Sequence, residues 1–159
     1  GKSKSSLYYY YTSKEEIFDA VLERETGDVL VRMRQAVDRE KTAQAKLTAF
    51  CLTKIKAIRQ KIMLYAIMSQ ELQHQPEFML CARQRHEKQE RELMLSLLNY
   101  GITTGEFSFL SEQNLDLFTF ALLNSLEGLE EQAVLRNNFD LVESAVPLLT
   151  QVLARGLKA

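Results

Sequence analysis

Tyr8, Tyr9, Tyr10 and Tyr11 follow one another directly, behind Ser5 and Ser6 and among Lys2, Lys4 and Lys14. Phenol and serine hydroxyls donate hydrogen bonds to phosphate oxygens without adding charge, and the lysines add charge. Small residues such as Ser5 and Ser6 let a helix come close to base edges. Consecutive residues of a helix point about 100° apart, so four neighbouring rings cannot all enter one core, and some must face outward. Outward-facing aromatics beside lysines require a partner.

Charge along the chain fits that chemistry at one end only. The 159 residues carry a net charge of −1, yet residues 1–14 hold three lysines and no acid, which leaves −4 for residues 15–159. A basic edge on a mildly acidic body is the pattern of a protein that meets phosphate at one place.

Catalytic and metal chemistry find no support in the spacing. The sequence holds no Ser-His-Asp or Cys-His set, no glycine-rich phosphate loop and no HExxH or EF-hand pattern. Glu127, Glu130 and Glu131 share a helix without being marked as a catalytic pair. Cys51 and Cys81, thirty positions apart, match no metal spacing and read as buried thiols; His74 and His86 have no ligand-spaced partner. No cofactor or metal is expected, and the chain does not read as an enzyme.

The elements that position these residues are helices. Two prolines and six glycines interrupt the chain, and apolar runs of period two are scarce, so the expected fold class is all-α. A short helix covers about residues 4–11, and Ser13-Lys14-Glu15-Glu16 is a capping box that opens a long helix to about Val37. Leu47, Phe50, Cys51, Ile55 and Ile58 form one apolar stripe of a helix over about 43–58. Residues 60–73 are apolar nearly all round, which predicts burial on most sides. Pro76 suits a helix start, and the charged run 83–92 reads as a solvated face with ion pairs. Gly101 and Gly105 flank a turn, Ser111 caps a helix to about Arg136, and Asn137-Asn138 end it. The last helix, about 139–156, contains Pro147, which predicts a bend or a second piece.

The opening stretch, Gly1-Lys2-Ser3-Lys4-Ser5-Ser6-Leu7-Tyr8-Tyr9-Tyr10-Tyr11-Thr12-Ser13-Lys14-Glu15-Glu16-Ile17-Phe18, resembles the recognition-helix signature of the TetR family of bacterial transcriptional repressors. Gly101-Ile102-Thr103-Thr104-Gly105-Glu106-Phe107 resembles that family's turn before its last two helices. The resemblance implies a ligand-responsive repressor whose helix-turn-helix enters the major groove of a double-stranded, palindromic operator. Carried over by position, Lys4, Ser5, Ser6 and Tyr8 approach bases, while Tyr9, Tyr10 and Lys14 hold phosphates. Lys14 also lies at a helix N-terminus, where exposed amides favour an anion. Leu7 and Tyr11, four apart, form the inward face. Lys2 stands where the family has an apolar residue, and Tyr11 where Phe is common. Two helices precede the recognition helix in the family, so residues 1–37 read as the end of a DNA-binding domain with its linking helix, the beginning lying outside this sequence.

Residues 42–159 then form the ligand-binding and dimerisation domain. Phe50, Tyr65, Met68, Phe78, Met79 and Phe118 lie on apolar faces and suit a lipophilic or aromatic inducer in a cavity between helices. Leu122, Ser125, Leu126, Leu129 and Ala133, with Val142, Val146, Leu149, Val152 and Leu153, are expected to build a four-helix interface with a second copy. The longest apolar run, Ile62 to Met68, is too short to cross a bilayer, and a cytoplasmic homodimer is expected. The alternative reading is an α-helical adaptor that binds protein and no DNA.

Overall fold

A computed structural model describes residues 4–71 and 76–158, with side chains described for all of these except 4, 5, 7, 65, 66, 68, 69, 71 and 76–85. The fold is all-α and consistent with a TetR-like arrangement. Its helices are α1 (Lys4–Tyr10), α2 (Lys14–Arg39), α3 (Ala43–Glu71), α4 (Pro76–Thr103), α5 (Glu112–Arg136) and α6 (Phe139–Gly156). No strand occurs among the described residues.

Local chemistry sets several of these boundaries. The Glu16 amide donates to Ser13 Oγ at 3.2 Å, and the Glu16 carboxylate accepts from the Thr12 amide at 2.6 Å, so α2 begins where two orphan amides find side-chain oxygens. Asn137 ends α5 in the left-handed region, at φ 49°, which asparagine tolerates better than most residues. At the start of α3 the Ala43 amide donates to both carboxylate oxygens of Glu106, at 2.9 and 3.0 Å. An acid from the α4–α5 turn therefore satisfies the positive end of α3.

α3 is the central helix and packs against α2, α4, α5 and α6. Its inward residues Leu47, Phe50, Cys51 and Ile55 join Val29, Met33 and Val37 of α2, Met94 and Leu98 of α4, Leu126 of α5 and Val146 of α6 in one core. A smaller cluster of Leu22, Phe18, Val21 and Leu64 stands apart from it.

The structure corrects four expectations. Residues 43–71 form one helix, where the sequence suggests a stripe followed by a separate all-round apolar segment. Met63 and Ile67 are 73% and 54% exposed, so burial on most sides does not hold for the described side chains of this stretch. Of the two outcomes expected at Pro147, a bend or a second piece, the second does not occur, since α6 runs through Pro147 as one helix. Gly101 does not flank the turn but lies in the last turns of α4, where a Cβ would stand 2.2 Å from the Phe107 ring. Only a residue without a side chain lets that ring close the core.

Candidate nucleic-acid interface

α1 is short, and its rings do not fold back into the body. Tyr8, Tyr9 and Tyr10 are 52%, 84% and 68% exposed, while Tyr11 is half-buried. The Tyr9 and Tyr10 rings meet edge to face with centroids 5.1 Å apart, an arrangement that holds two phenols together on the surface. Ser6 is half-buried, and the side chains of Lys4 and Ser5 lie outside the described residues. Lys14 is exposed at the first turn of α2, its ammonium 5.6 Å from the Phe18 ring centroid. Exposed phenols and a cation at a capped helix start thus share one end of the molecule, and that set can hydrogen-bond to phosphate and to base edges.

The expected inducer residues are only partly visible. Phe50 is wholly buried in the closed core, so it faces no open cavity, and Phe118 is half-buried against the same core. Tyr65, Met68, Phe78 and Met79 lie outside the described side chains. Among the described residues a cleft of about 410 Å³ opens between α2, α3 and α4, with Arg34, Asp38, Lys46, Glu92, Ser96 and Tyr100 in its wall. Its lining is largely charged and includes none of the six residues expected to hold an inducer. Lys46 donates to the Val37 carbonyl at 2.9 Å and lies 5.0 Å from the Tyr100 ring centroid.

The body also holds polar groups that the sequence does not mark. Lys54 of α3 lies 2.6 Å from the Glu90 carboxylate of α4 and 3.0 Å from that of Glu130 of α5, with all three side chains at least 85% buried. Burial works against the ammonium, but Glu130 and Glu90 outweigh it and hold Lys54 above the ordinary lysine range. Burial pushes the neighbouring Cys51 thiol up to about 12, which makes it an inert thiol at neutral pH. His86, Glu90, Leu93, Met94 and Leu97 recur at helical spacing on one face, so the charged run is not wholly solvated: Glu90 and half of His86 turn inward. Among the described residues no His, Cys, Asp and Glu cluster could hold a metal ion.

The expected interface set on α5 and α6 divides. Leu126, Ala133, Val142 and Val146 are buried in the subunit's own core, and Leu122, Leu129 and Leu153 are half-buried, the first two packed on that core. The reason is that both helices dock on α3; Thr150 meets Thr48 of α3 at 2.7 Å. Ser125, Leu149 and Val152 stay exposed. Leu117, Phe120 and Leu135 of α5 and Leu141 and Leu148 of α6, absent from the expected set, are exposed as well. No described helix is long and apolar enough to cross a membrane.

Among curated proteins the chain is similar to the HTH-type transcriptional repressor KstR2 of Mycobacterium tuberculosis, in strains CDC 1551 / Oshkosh and ATCC 25618 / H37Rv. Identity is 29% over 110 residues, covering 67% of this chain and 54% of each relative. The chain spans about half the length of the curated relatives it matches. No family profile matches it. No solved structure matches it.

Proposed function

We propose that this chain belongs to a DNA-binding transcriptional repressor of the TetR type, with α1 as its recognition helix. The observation that carries the reading is the outward display of Tyr8, Tyr9 and Tyr10 immediately before the capped start of α2. A duplex is the partner with phosphate acceptors for those hydroxyls and with base edges open to a short helix in the major groove. The similarity to a repressor supports the same class. In this reading Lys4, Ser5, Ser6 and Tyr8 approach base edges, and Tyr9, Tyr10 and Lys14 hold the backbone.

Two further parts complete the reading. A small molecule bound among α2, α3 and α4 shifts α2 and releases the operator. The exposed apolar stripes of α5 and α6 cover one another across a two-fold axis in a homodimer, and Gly128, where an added Cβ would meet nothing within 4 Å, lets the partner helix come close. Binding of the full-length protein to a duplex from upstream of its own gene, followed by fluorescence anisotropy against a scrambled duplex, tests the reading. Tight, salt-dependent preference for the upstream duplex supports it; equal and weak binding to both overturns it and favours the protein-binding adaptor.

A further inference from the structure

α2 spans 26 residues, but its buried side chains serve two separate apolar clusters. Leu22 packs with Phe18, Val21 and Leu64, whereas Val29, Met33 and Val37 belong to the main core. Between them stand Glu25, Thr26 and Gly27, which bury no apolar side chain.

Three independent features weaken the helix at that point. Lys61 of α3 donates to the Glu25 carbonyl at 2.7 Å, sharing an acceptor that an α-helix reserves for its own amide four residues on. The Thr26 hydroxyl donates back to the Leu22 carbonyl, a bond that bends helices and slightly destabilises them. Gly27 follows, and an added Cβ there would meet nothing within 4 Å, so no packing demands a residue that is unfavourable in a helix interior.

The same three residues are gripped from outside. The Lys61 ammonium also pairs with the Glu25 carboxylate at 2.5 Å, and His86 of α4 meets Thr26 Oγ1 at 2.7 Å. With the Thr26 hydrogen committed to Leu22, His86 Nε2 is the donor in that contact.

We propose that α2 is jointed at Glu25–Gly27, so that residues 14–24 move with α1 as one segment against residues 28–39. Lys61 and His86 set the angle between the segments and report the positions of α3 and α4 to it. The joint stands on α2 and its contacts alone; only its consequence, a swing of the Tyr8–Tyr10 surface, rests on the reading of α1 as the DNA-contacting helix.

Amide hydrogen exchange on the whole chain without DNA tests the joint. Amides 27–31, whose helical bonds span it, are expected to exchange at least tenfold faster than amides 34–38. Gly27→Ala is expected to slow the former about fivefold, the factor that separates glycine from alanine in a helix interior, and to leave the latter unchanged. Uniform exchange along α2, or a Gly27→Ala variant that exchanges as the parent does, overturns the joint. Because no DNA is present, a failed repressor reading leaves this result intact.

Discussion

The Lys54 ammonium lies 2.6 Å from the Glu90 carboxylate and so ties α3 to α4 inside the helical body, with Glu130 of α5 as a second acid on the same cation. Two acids on one buried base make removal of the base the worst change, because it leaves two carboxylates facing each other without compensation. Lys54→Met is expected to cost about 3 kcal/mol, the range for breaking a buried pair from one side. Glu130→Gln costs less, since Glu90 still holds the ammonium. Chemical denaturation checks this ordering, with a lower midpoint and an unchanged m-value for Lys54→Met.

On the acid side the responsive group is Glu25. Its hydrogen bond from Lys61 holds the carboxyl below the usual carboxylate range. A folded pKa below the unfolded one means stability present above the unfolded value of about 4.3 and lost as pH falls through the folded value. Melting temperatures of the parent and Glu25→Gln are therefore expected to differ by a constant amount from pH 6 to 8 and to converge below about pH 4. A gap that widens on acidification would remove this assignment.

The start of α2 and the end of α5 were readable in the sequence because their causes are local. Ser13 with Glu16, and Asn137 at the end of α5, act within four residues of themselves. The Lys54 contact was not readable, although Lys54 continues the stripe of Phe50, Cys51 and Ile58, because a lysine letter says nothing of the two acids that other helices bring to it. The interface set divided for the same reason. Val142 and Leu141 are both apolar, and which of them turns inward depends on how α6 docks on α3, which puts Val142 in the core and leaves Leu141 outside. The tyrosines were legible in kind, since crowding alone forces rings outward, while the joint in α2 needs partners 36 and 60 residues away.

Gly101→Ala is expected to destabilise the protein by about 2 kcal/mol, because its Cβ would stand 2.2 Å from the buried Phe107 ring and the ring must shift. The two sites are coupled. Phe107→Ala is expected to cost less in the Gly101→Ala background than in the parent, since the clash disappears with the ring, and a double-mutant cycle measures that difference. Additive effects would mean that the ring yields freely.

Self-association and subunit stability are expected to separate on α5 and α6. Leu135, 78% exposed, and Leu148 lie on the outer stripes, so Leu135→Arg and Leu148→Glu should shift the protein to a monomer in sedimentation velocity while its helical circular dichroism persists. Val146→Ala removes buried methyl groups from the core and should cost about 1–3 kcal/mol. Dimers that survive both charge substitutions would place the interface elsewhere.

Lys14 and Tyr9 should fail in different ways on DNA. A lysine that neutralises one phosphate releases about one counterion, so Lys14→Gln is expected to lower the slope of log affinity against log salt by about 1, with sequence preference unchanged. The helix survives the change, because its first turn is held by the Ser13 oxygen and the Glu16 amide and not by the lysine. Tyr9→Phe keeps the ring and removes one neutral hydrogen bond, a loss of about fivefold at every salt concentration. Fluorescence anisotropy titrations at several salt concentrations separate the two. If Lys14→Gln leaves the slope where it was, its ammonium does not meet the backbone and the phosphate contact must come from another residue of α1 or α2.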